Sequence, residues 1–214
     1  MKKKMVESFQ WLLLRLPSLN ILVSHLLYVK WLMNGKPVSS PHIHAKKVVL
    51  EYAKKYNVHT LVETGTYRGD MLYGTKNVFK QIYSIELNEE LCQRAQNRFS
   101  KYKHISIIRG DSSQVLAKIL PQIKEPCLFW LDAHYSGWIT SQIGGGIESP
   151  ILEELRQIFD SNVKCNVILM DDARCFLGEK GYPKINELMK FVLSKRPNWE
   201  FEVKDDIIRT YQKL

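Results

Sequence analysis

The stretch LVETGTYRGD, residues 61–70, carries the strongest structural signal in the chain. An apolar pair runs into an acid, Glu63, and Gly65 and Gly69 then bound a short loop that ends at a second acid, Asp70. Glycine tolerates backbone conformations that other residues avoid, so this spacing indicates a tight turn. The stretch therefore predicts a ligand-binding turn held between two carboxylates.

Short apolar runs that predict strands alternate with helical stretches along the chain. Strands are predicted at 59–63, 81–86, 104–109, 127–132, 166–171, 199–204 and 207–212, and helices at 42–56, 70–79, 88–99, 112–120, 148–159 and 184–194. This alternation implies right-handed crossovers and a mainly parallel sheet covered on both faces. The predicted fold is α/β and Rossmann-like: a doubly wound, seven-stranded, mainly parallel sheet with a terminal antiparallel hairpin, preceded by N-terminal helices.

Acidic residues close or follow the predicted parallel strands. They are Glu63, Glu86, Asp111, Asp132 and the pair Asp171 and Asp172. In open sheets of this kind, ligands bind beyond the carboxyl ends of the strands. The sequence therefore predicts a ligand site lined by carboxylates.

The glycine spacing disfavours a phosphate-cradling loop. Tyr67 stands where the dinucleotide fingerprint has its middle glycine, and no G-K-[ST] sequence occurs. A cofactor with a sulfonium, an amino-acid tail and an adenosine fits better. Glu63 is placed to attract its cationic end and Glu86 to accept both ribose hydroxyls, while Asp111 with Ser112 suits the adenine edge.

Four motifs in order resemble those of the class I S-adenosylmethionine-dependent methyltransferases. They are VETGTYRGD, IYSIEL, IRGDSS and FWLDAH, within residues 58–172. The resemblance implies that S-adenosylmethionine is the cofactor. It also implies a role for each matching residue: the methionine side would be lined by Glu63, Gly65, Thr66 and Gly69, the ribose held by Glu86, and the adenine by Asp111 and Ser112. Such families often have a further glycine in the first motif, and Tyr67 or Arg68 fills that place here.

Two long polar segments after strand ends, residues 131–150 and 168–183, are expected on the acceptor side. The glycines at 144–146 suit a lid, although a plain surface loop is the alternative. A hydroxyl acceptor must lose its proton, and His134 is the candidate base.

Asp132, Asp171 and Asp172 offer a second route, since carboxylates suit Mg²⁺, which lowers the pKa of a bound hydroxyl. This trio resembles the acids of the metal-dependent catechol and macrolide-sugar O-methyltransferases. Alternatively, Asp132 orients the cofactor's amino group while Asp171 or Asp172 caps a turn. Arg174 would balance the charge or clamp an anionic acceptor.

The expected reaction is O-methylation of a small polyhydroxylated acceptor, a sugar or a phenolic metabolite. Aminopropyl transfer on a related fold is one alternative, and a non-catalytic cofactor-binding or membrane-associated scaffold is another. The net charge of +9 comes from scattered residues without a nucleic-acid-binding motif, which disfavours a nucleic-acid partner. Four widely separated cysteines without a C-x-x-C pair favour a reducing, cytoplasmic setting.

Residues 1–38 are expected to form an N-terminal helical extension to a methyltransferase domain at 39–214. The segment 11–33 is apolar, but polar residues and Pro17 interrupt it, so no uninterrupted apolar run reaches the roughly 20 residues that a spanning helix needs. Two short helices hinged near Pro17 are expected. Their apolar residues could pack on the domain or on a second copy in a homodimer, which is the favoured interpretation. The alternative is peripheral membrane contact through residues 1–34, where Trp11 and Trp31 would suit the interface.

Overall fold

The computed structural model describes residues 17–132 and 149–214. Its strands are β1 (Thr60–Thr64), β2 (Gln81–Glu86), β3 (Ile105–Arg109), β4 (Cys127–Leu131), β5 (Cys165–Met170), β6 (Trp199–Lys204) and β7 (Ile207–Gln212). The α-helices in these ranges are α1 (Pro17–Met33), α2 (His42–Lys55), α3 (Asp70–Thr75), α4 (Glu89–Phe99), α5 (Ser112–Ile119), α6 (Ile151–Asp160) and α7 (Ile185–Lys195). Short 3₁₀ turns occupy Leu120–Gln122 and Ala173–Cys175.

The strands form one seven-stranded sheet in the order β3-β2-β1-β4-β5-β7-β6. Strands β1 to β5 pair in parallel, and β7 lies antiparallel between β5 and β6. The predicted α/β fold with its terminal antiparallel hairpin is confirmed. Since the chain leaves β1 toward β3 on one side and returns to β4 on the other, the crevice for a ligand opens beyond β1 and β4.

Side chains of the central strands point alternately into two cores. Phe129 and Leu131 of β4 pack with α5, α6 and α7 on one face, whereas Leu128 and Trp130 pack with α2 and α3 on the other. Every residue of β1 and β4 is buried, as expected for parallel strands covered by helices on both faces. The two cores fix the strand ends that carry the acidic residues.

The predicted element boundaries hold closely, and β2, β6 and β7 match throughout. The main difference is α3, which ends at Thr75 and not at residue 79. The helix stops because the amides of Val78 and Phe79 both donate to the carbonyl of Thr75, which forms a closing turn.

Helix α1 packs on α2 through aromatic rings. Trp31 is buried, its Nε1 donates to the carbonyl of Pro37 at 2.7 Å, and its ring lies 4.8 Å from that of His44. Of the two helices predicted around Pro17, the structure describes the one that starts there. The other lies outside the described residues. In the described ranges, no helix combines the length and apolar character needed to cross a bilayer.

Candidate cofactor and acceptor site

Glu63 lies at the carboxyl end of β1 and is almost wholly buried. The hydroxyl of Ser84 on β2 donates to its carboxylate. Burial raises the pKa of Glu63 to about 8, with smaller contributions from the charges of Asp132, Glu86 and Asp70, while the Ser84 hydrogen bond opposes the shift. Near neutral pH this acid is therefore ready to ionise when a cation approaches.

The loop after β1 is held against the end of β2. The amides of Gly65 and Thr66 donate to the carbonyl of Ile85 at 2.9 and 3.2 Å, and the Thr66 and Ser84 hydroxyls lie 2.6 Å apart. Gly69, with φ of +73°, closes the loop at the start of α3. A Cβ on Gly69 would lie 2.6 Å from Cε2 of Phe99, so this position requires glycine for both its conformation and its packing.

Tyr67 and Arg68 are the two residues that could occupy the place of a further glycine in the first motif. Tyr67 has the backbone conformation that glycine favours. Its φ of +48° is in the left-handed region, and its amide donates to Oε2 of Glu86 at 2.7 Å. The structure thus gives the loop path that the sequence left open between Tyr67 and Arg68. A left-handed conformation costs a non-glycine residue roughly 1–2 kcal/mol, which the hydrogen bond to Glu86 helps to offset.

Glu86 closes β2 at the carboxyl edge of the sheet, and its ribose-binding role stays a prediction. It is buried at the end of β2, and its Oε1 accepts the amide of Asn88 at 2.9 Å while Oε2 accepts that of Tyr67. Burial raises its pKa, and these backbone hydrogen bonds oppose the shift. Each carboxylate oxygen can accept a second hydrogen bond, so both remain able to bind ribose hydroxyls.

Asp111 caps helix α5. Its Oδ1 accepts the amide and the hydroxyl of Ser113 at 2.9 and 2.7 Å, and Ser112 is buried beside it. The adenine-side role predicted for Asp111 and Ser112 is therefore compatible with a rigid helix start, and it stays a prediction.

Glu154 on α6 was missed by the sequence analysis. It is 1% exposed and lies beside Thr64 and Ser112, whose hydroxyls favour its charged form, but burial dominates and raises its pKa to about 7. The only signal in the sequence was an acid on the apolar face of a predicted helix, between Ile151 and Leu155. It is therefore a neighbour of Ser112, which the sequence predicts on the adenine side.

A cavity opens between the loop after β1 and the start of α2. It is lined by His42, Ala45, Lys46, Glu63, Gly65, Thr66, Tyr67, Arg68, Asp70, Met71, Trp130 and Asp132. The predicted methionine-side residues Glu63, Gly65 and Thr66 share this cavity with Asp132. Gly69 shapes the loop without lining the cavity.

Lys46 is the second site residue that the sequence analysis missed. Burial lowers its pKa, the nearby Asp70 and Glu63 oppose that shift, and Arg98 adds to it. Lys46 lies three residues before the buried Val49, so it is on the packed face of α2. A lysine on a packed helix face is unusual, and this is the signal in the sequence that could have identified it. Lys46 and Arg68 both line the cavity, together with its carboxylates.

The ends of β4 and β5 bring Asp132 and Asp171 together. Their amides donate to the carbonyls of Thr64 and Leu131, at 3.0 and 3.1 Å, which continues the parallel ladder past the strands. Burial and then the charges of Asp132 and Asp172 raise the pKa of Asp171 well above its ordinary value. The predicted convergence of carboxylates at this edge is present.

The third carboxylate of the predicted magnesium trio is engaged elsewhere. Asp172, with φ of +55°, lies 2.7 Å from Nη1 of Arg174, which also pairs with Asp206 in the β6–β7 turn. In the parts of the chain that the structure describes, no group of three histidine, cysteine, aspartate or glutamate side chains is arranged to hold a metal ion. The trio as predicted therefore does not fit a metal, and Arg174 joins the loop after β5 to the hairpin.

The candidate base His134 and the glycines at 144–146 lie outside the described residues. Their assignments as a base and as part of a lid stay predictions.

Comparison with known proteins gives a consistent fold. No family model matches the chain. A protein-L-isoaspartate O-methyltransferase from Petrotoga mobilis is 26% identical over 151 residues, which are 61% of this chain. The match spans 65% of that relative's length.

Solved structures share the architecture at low sequence identity. A candidate caffeoyl-CoA O-methyltransferase from Staphylococcus aureus has a TM-score of 0.58 at 12% identity, covering 89% of this chain and 92% of that one. An S-adenosylhomocysteine-bound methyltransferase from Podospora anserina has a TM-score of 0.56 at 16% identity, covering 89% and 88%. An O-methyltransferase from Bacillus cereus in complex with S-adenosylhomocysteine has a TM-score of 0.54 at 13% identity, covering 88% and 89%. The sheet order, the glycine-bounded loop and these neighbours together establish that the chain has the fold of the class I S-adenosylmethionine-dependent methyltransferases.

Proposed function

We propose that this protein is an S-adenosylmethionine-dependent methyltransferase that methylates a hydroxyl of a small polyhydroxylated acceptor. The observation that carries the proposal is the charge pattern of the cavity after β1. Lys46 and Arg68 are basic residues of its lining, and Glu63, Asp70 and Asp132 are the acidic ones. The amino-acid tail of S-adenosylmethionine carries both a carboxylate and an ammonium, so it is complementary to this pattern.

The same pattern argues against aminopropyl transfer. The donor of an aminopropyl group carries an amine but no carboxylate on the transferred chain. Such a donor would leave Lys46, which is already partly buried, without an anionic partner from the ligand. Aminopropyl transfer is therefore the less favoured reaction.

Asp171 is the described residue best suited to accept the acceptor's proton. It stands beyond β5, next to the end of β4, and its raised pKa makes its carboxylate a stronger base near neutral pH. In the proposed step, the acceptor oxygen bonds to the methyl carbon as the carbon–sulfur bond breaks, and sulfur keeps the electron pair as a neutral thioether. The acceptor's proton passes to Asp171, and the products are a methyl ether and S-adenosylhomocysteine.

In this scheme the protein aligns the methyl group with the acceptor and does not activate it. An in-line displacement is accelerated mainly by holding the two reacting atoms in register. Glu86 and the loop from Gly65 to Gly69 hold the adenosine and the tail, and the β4–β5 edge presents the acceptor. A cytoplasmic location remains part of the proposal, in keeping with four free cysteines.

Transfer of a tritiated methyl group tests the proposal. The full chain is incubated with labelled S-adenosylmethionine and a panel of catechols and monosaccharides, with and without EDTA. We expect label on a hydroxyl of at least one acceptor. Label found only on amines, or aminopropyl products, would contradict O-methylation, and bound cofactor without transfer to any acceptor would favour a scaffold. Loss of transfer in EDTA with recovery in magnesium would return the metal to the mechanism.

A further inference from the structure

Among the described residues, helix α1 contacts the rest of the protein through one side. Trp31 is buried, the ring of Tyr28 lies 6.1 Å from that of His44, and Nζ of Lys47 lies 4.0 Å from the centre of the Tyr28 ring. Lys36, just after the helix, pairs with Asp205 at 3.1 Å. The C-terminal half of α1 is therefore firmly attached, and Trp31 is not available for the interfacial position that the sequence suggested.

The remainder of the helix surface is apolar and exposed. Its large apolar side chains are between 41% and 81% exposed: Leu19, Ile21, Leu22, Leu26, Leu27, Val29, Leu32 and Met33. At 3.6 residues per turn they cover about two thirds of the helix circumference. Packing on the described part of the domain thus buries Trp31 and leaves these side chains exposed.

The N-terminal sequence is predominantly basic. The segment 17–36 contains Lys30 and Lys36 and no acid, and residues 1–16 add Lys2, Lys3, Lys4 and Arg15 against Glu7. Lys30 is exposed, so its stem can lie along the apolar surface while its ammonium reaches outward. His25 interrupts the surface, but its Nδ1 lies 2.8 Å from the carbonyl of Ile21 and is satisfied within the helix.

We propose that α1 docks the protein onto an anionic lipid surface. A second helix in a dimer would cover a stripe of roughly 100°, which is much narrower than this apolar surface. Acyl chains, in contrast, can cover a broad apolar face of a helix that lies in the interface, and anionic headgroups complement the basic charge of this segment. A lipid surface therefore covers more of the eight side chains than a second helix does.

Sedimentation with vesicles tests this proposal on the full chain. Vesicles of phosphatidylcholine alone are compared with vesicles containing phosphatidylglycerol, for the natural protein and for the combined variant Leu22→Ser, Leu26→Ser, Leu27→Ser. We expect the natural protein to bind the anionic vesicles, more weakly at high salt, and the variant to lose at least about tenfold in binding. The matched control is Leu177→Ser, an exposed leucine (67%) outside α1, which should bind as the natural protein does.

Two further readouts separate the outcomes. All the variants replace exposed residues, so equal melting temperatures would show that lost binding is not unfolding. A natural protein that is dimeric in solution, becomes monomeric in the triple variant and ignores both kinds of vesicle would overturn the proposal in favour of a second copy. Equal binding by the triple variant and the Leu177→Ser control would also overturn it. Lipid binding is measured without an acceptor, so its result stands apart from that of methyl transfer.

Discussion

The backbone amide of Tyr67 donates to Oε2 of Glu86 at 2.7 Å, so the loop after β1 and the acid that closes β2 form one unit. The loop takes a left-handed residue to make this hydrogen bond, and Asn88 supplies a second from the other side. Glu86 therefore fixes the loop that lines the cavity, and the predicted contact with the ribose hydroxyls would use its remaining lone pairs.

Replacing Glu86 by alanine should weaken cofactor binding by about 1–3 kcal/mol, since it removes a charged acceptor from the ribose hydroxyls. The amides of Tyr67 and Asn88 lose their partner as well, so the melting temperature should also fall. The matched control is Glu89→Ala, because Glu89 is exposed and pairs only with exposed Arg109 among the contacts described here. Calorimetric titration with S-adenosylhomocysteine measures both variants, and equal affinity in the two would remove Glu86 from the site.

Gly69→Ala and Gly35→Ala separate conformational strain from packing. Both glycines have φ near +75°, but a Cβ on Gly35 meets nothing within 4 Å, whereas one on Gly69 meets Phe99. Each variant should lose roughly 1 kcal/mol of stability from the backbone alone. Gly69→Ala should lower the melting temperature more than Gly35→Ala does, and it should also bind S-adenosylhomocysteine less tightly. Equal effects on stability and binding would show that the contact with Phe99 is unimportant.

The stability of the unliganded protein should fall as the pH rises toward 8. Glu63 has a pKa of about 8 in the folded protein against an ordinary value of 4.5, so in between the folded state holds a proton that the unfolded chain has released. The free energy of unfolding therefore falls as the pH rises between these two values. Above about pH 8, Glu63 adds no further change. Melting temperatures of the natural protein and Glu63→Gln from pH 5 to 9 test this.

Glu154 provides the internal control for that slope. Its pKa of about 7 gives the same sign of effect, but over a window that ends one pH unit lower. Glu154→Gln should therefore flatten the slope only below about pH 7, and Glu63→Gln should flatten it up to about pH 8. A Glu63→Gln protein with the full natural slope between pH 7 and 8 would show that Glu63 is already ionised.

Asp171→Asn should stabilise the unliganded protein while impairing catalysis. The variant removes the repulsion among Asp171, Asp132 and Asp172 but keeps an oxygen to accept the amide of Asp172, so the free energy of unfolding at pH 8 should rise by about 1 kcal/mol or more. Methyl transfer to an acceptor should slow by about 10²–10⁴-fold. Asp160→Asn, at the exposed end of α6, is the surface control. Unchanged transfer in Asp171→Asn would leave His134 as the base candidate.

The strands and the acids at their ends could be predicted because both depend on local sequence. An apolar run followed by an acid is visible without the fold, and parallel strands place all such ends at one edge. Lys46 could not be assigned in this way, since its partners Asp70 and Glu63 belong to elements that follow it in the chain. The ion pair between Arg174 and Asp206 could not be predicted for the same reason, because the β6–β7 hairpin brings Asp206 beside β5 only in the folded protein.

The most direct test is a calorimetric comparison of S-adenosylhomocysteine with 5′-methylthioadenosine, which has the same adenosine and thioether but no amino-acid tail. If the cavity holds that tail, the natural protein should bind S-adenosylhomocysteine more tightly by about 1.5–3 kcal/mol, the usual range for hydrogen bonds to charged groups. Lys46→Met should remove much of this difference without changing the affinity for 5′-methylthioadenosine. Equal affinities for the two ligands in the natural protein, or no binding of either, would contradict the assignment of the cavity and with it the proposed reaction.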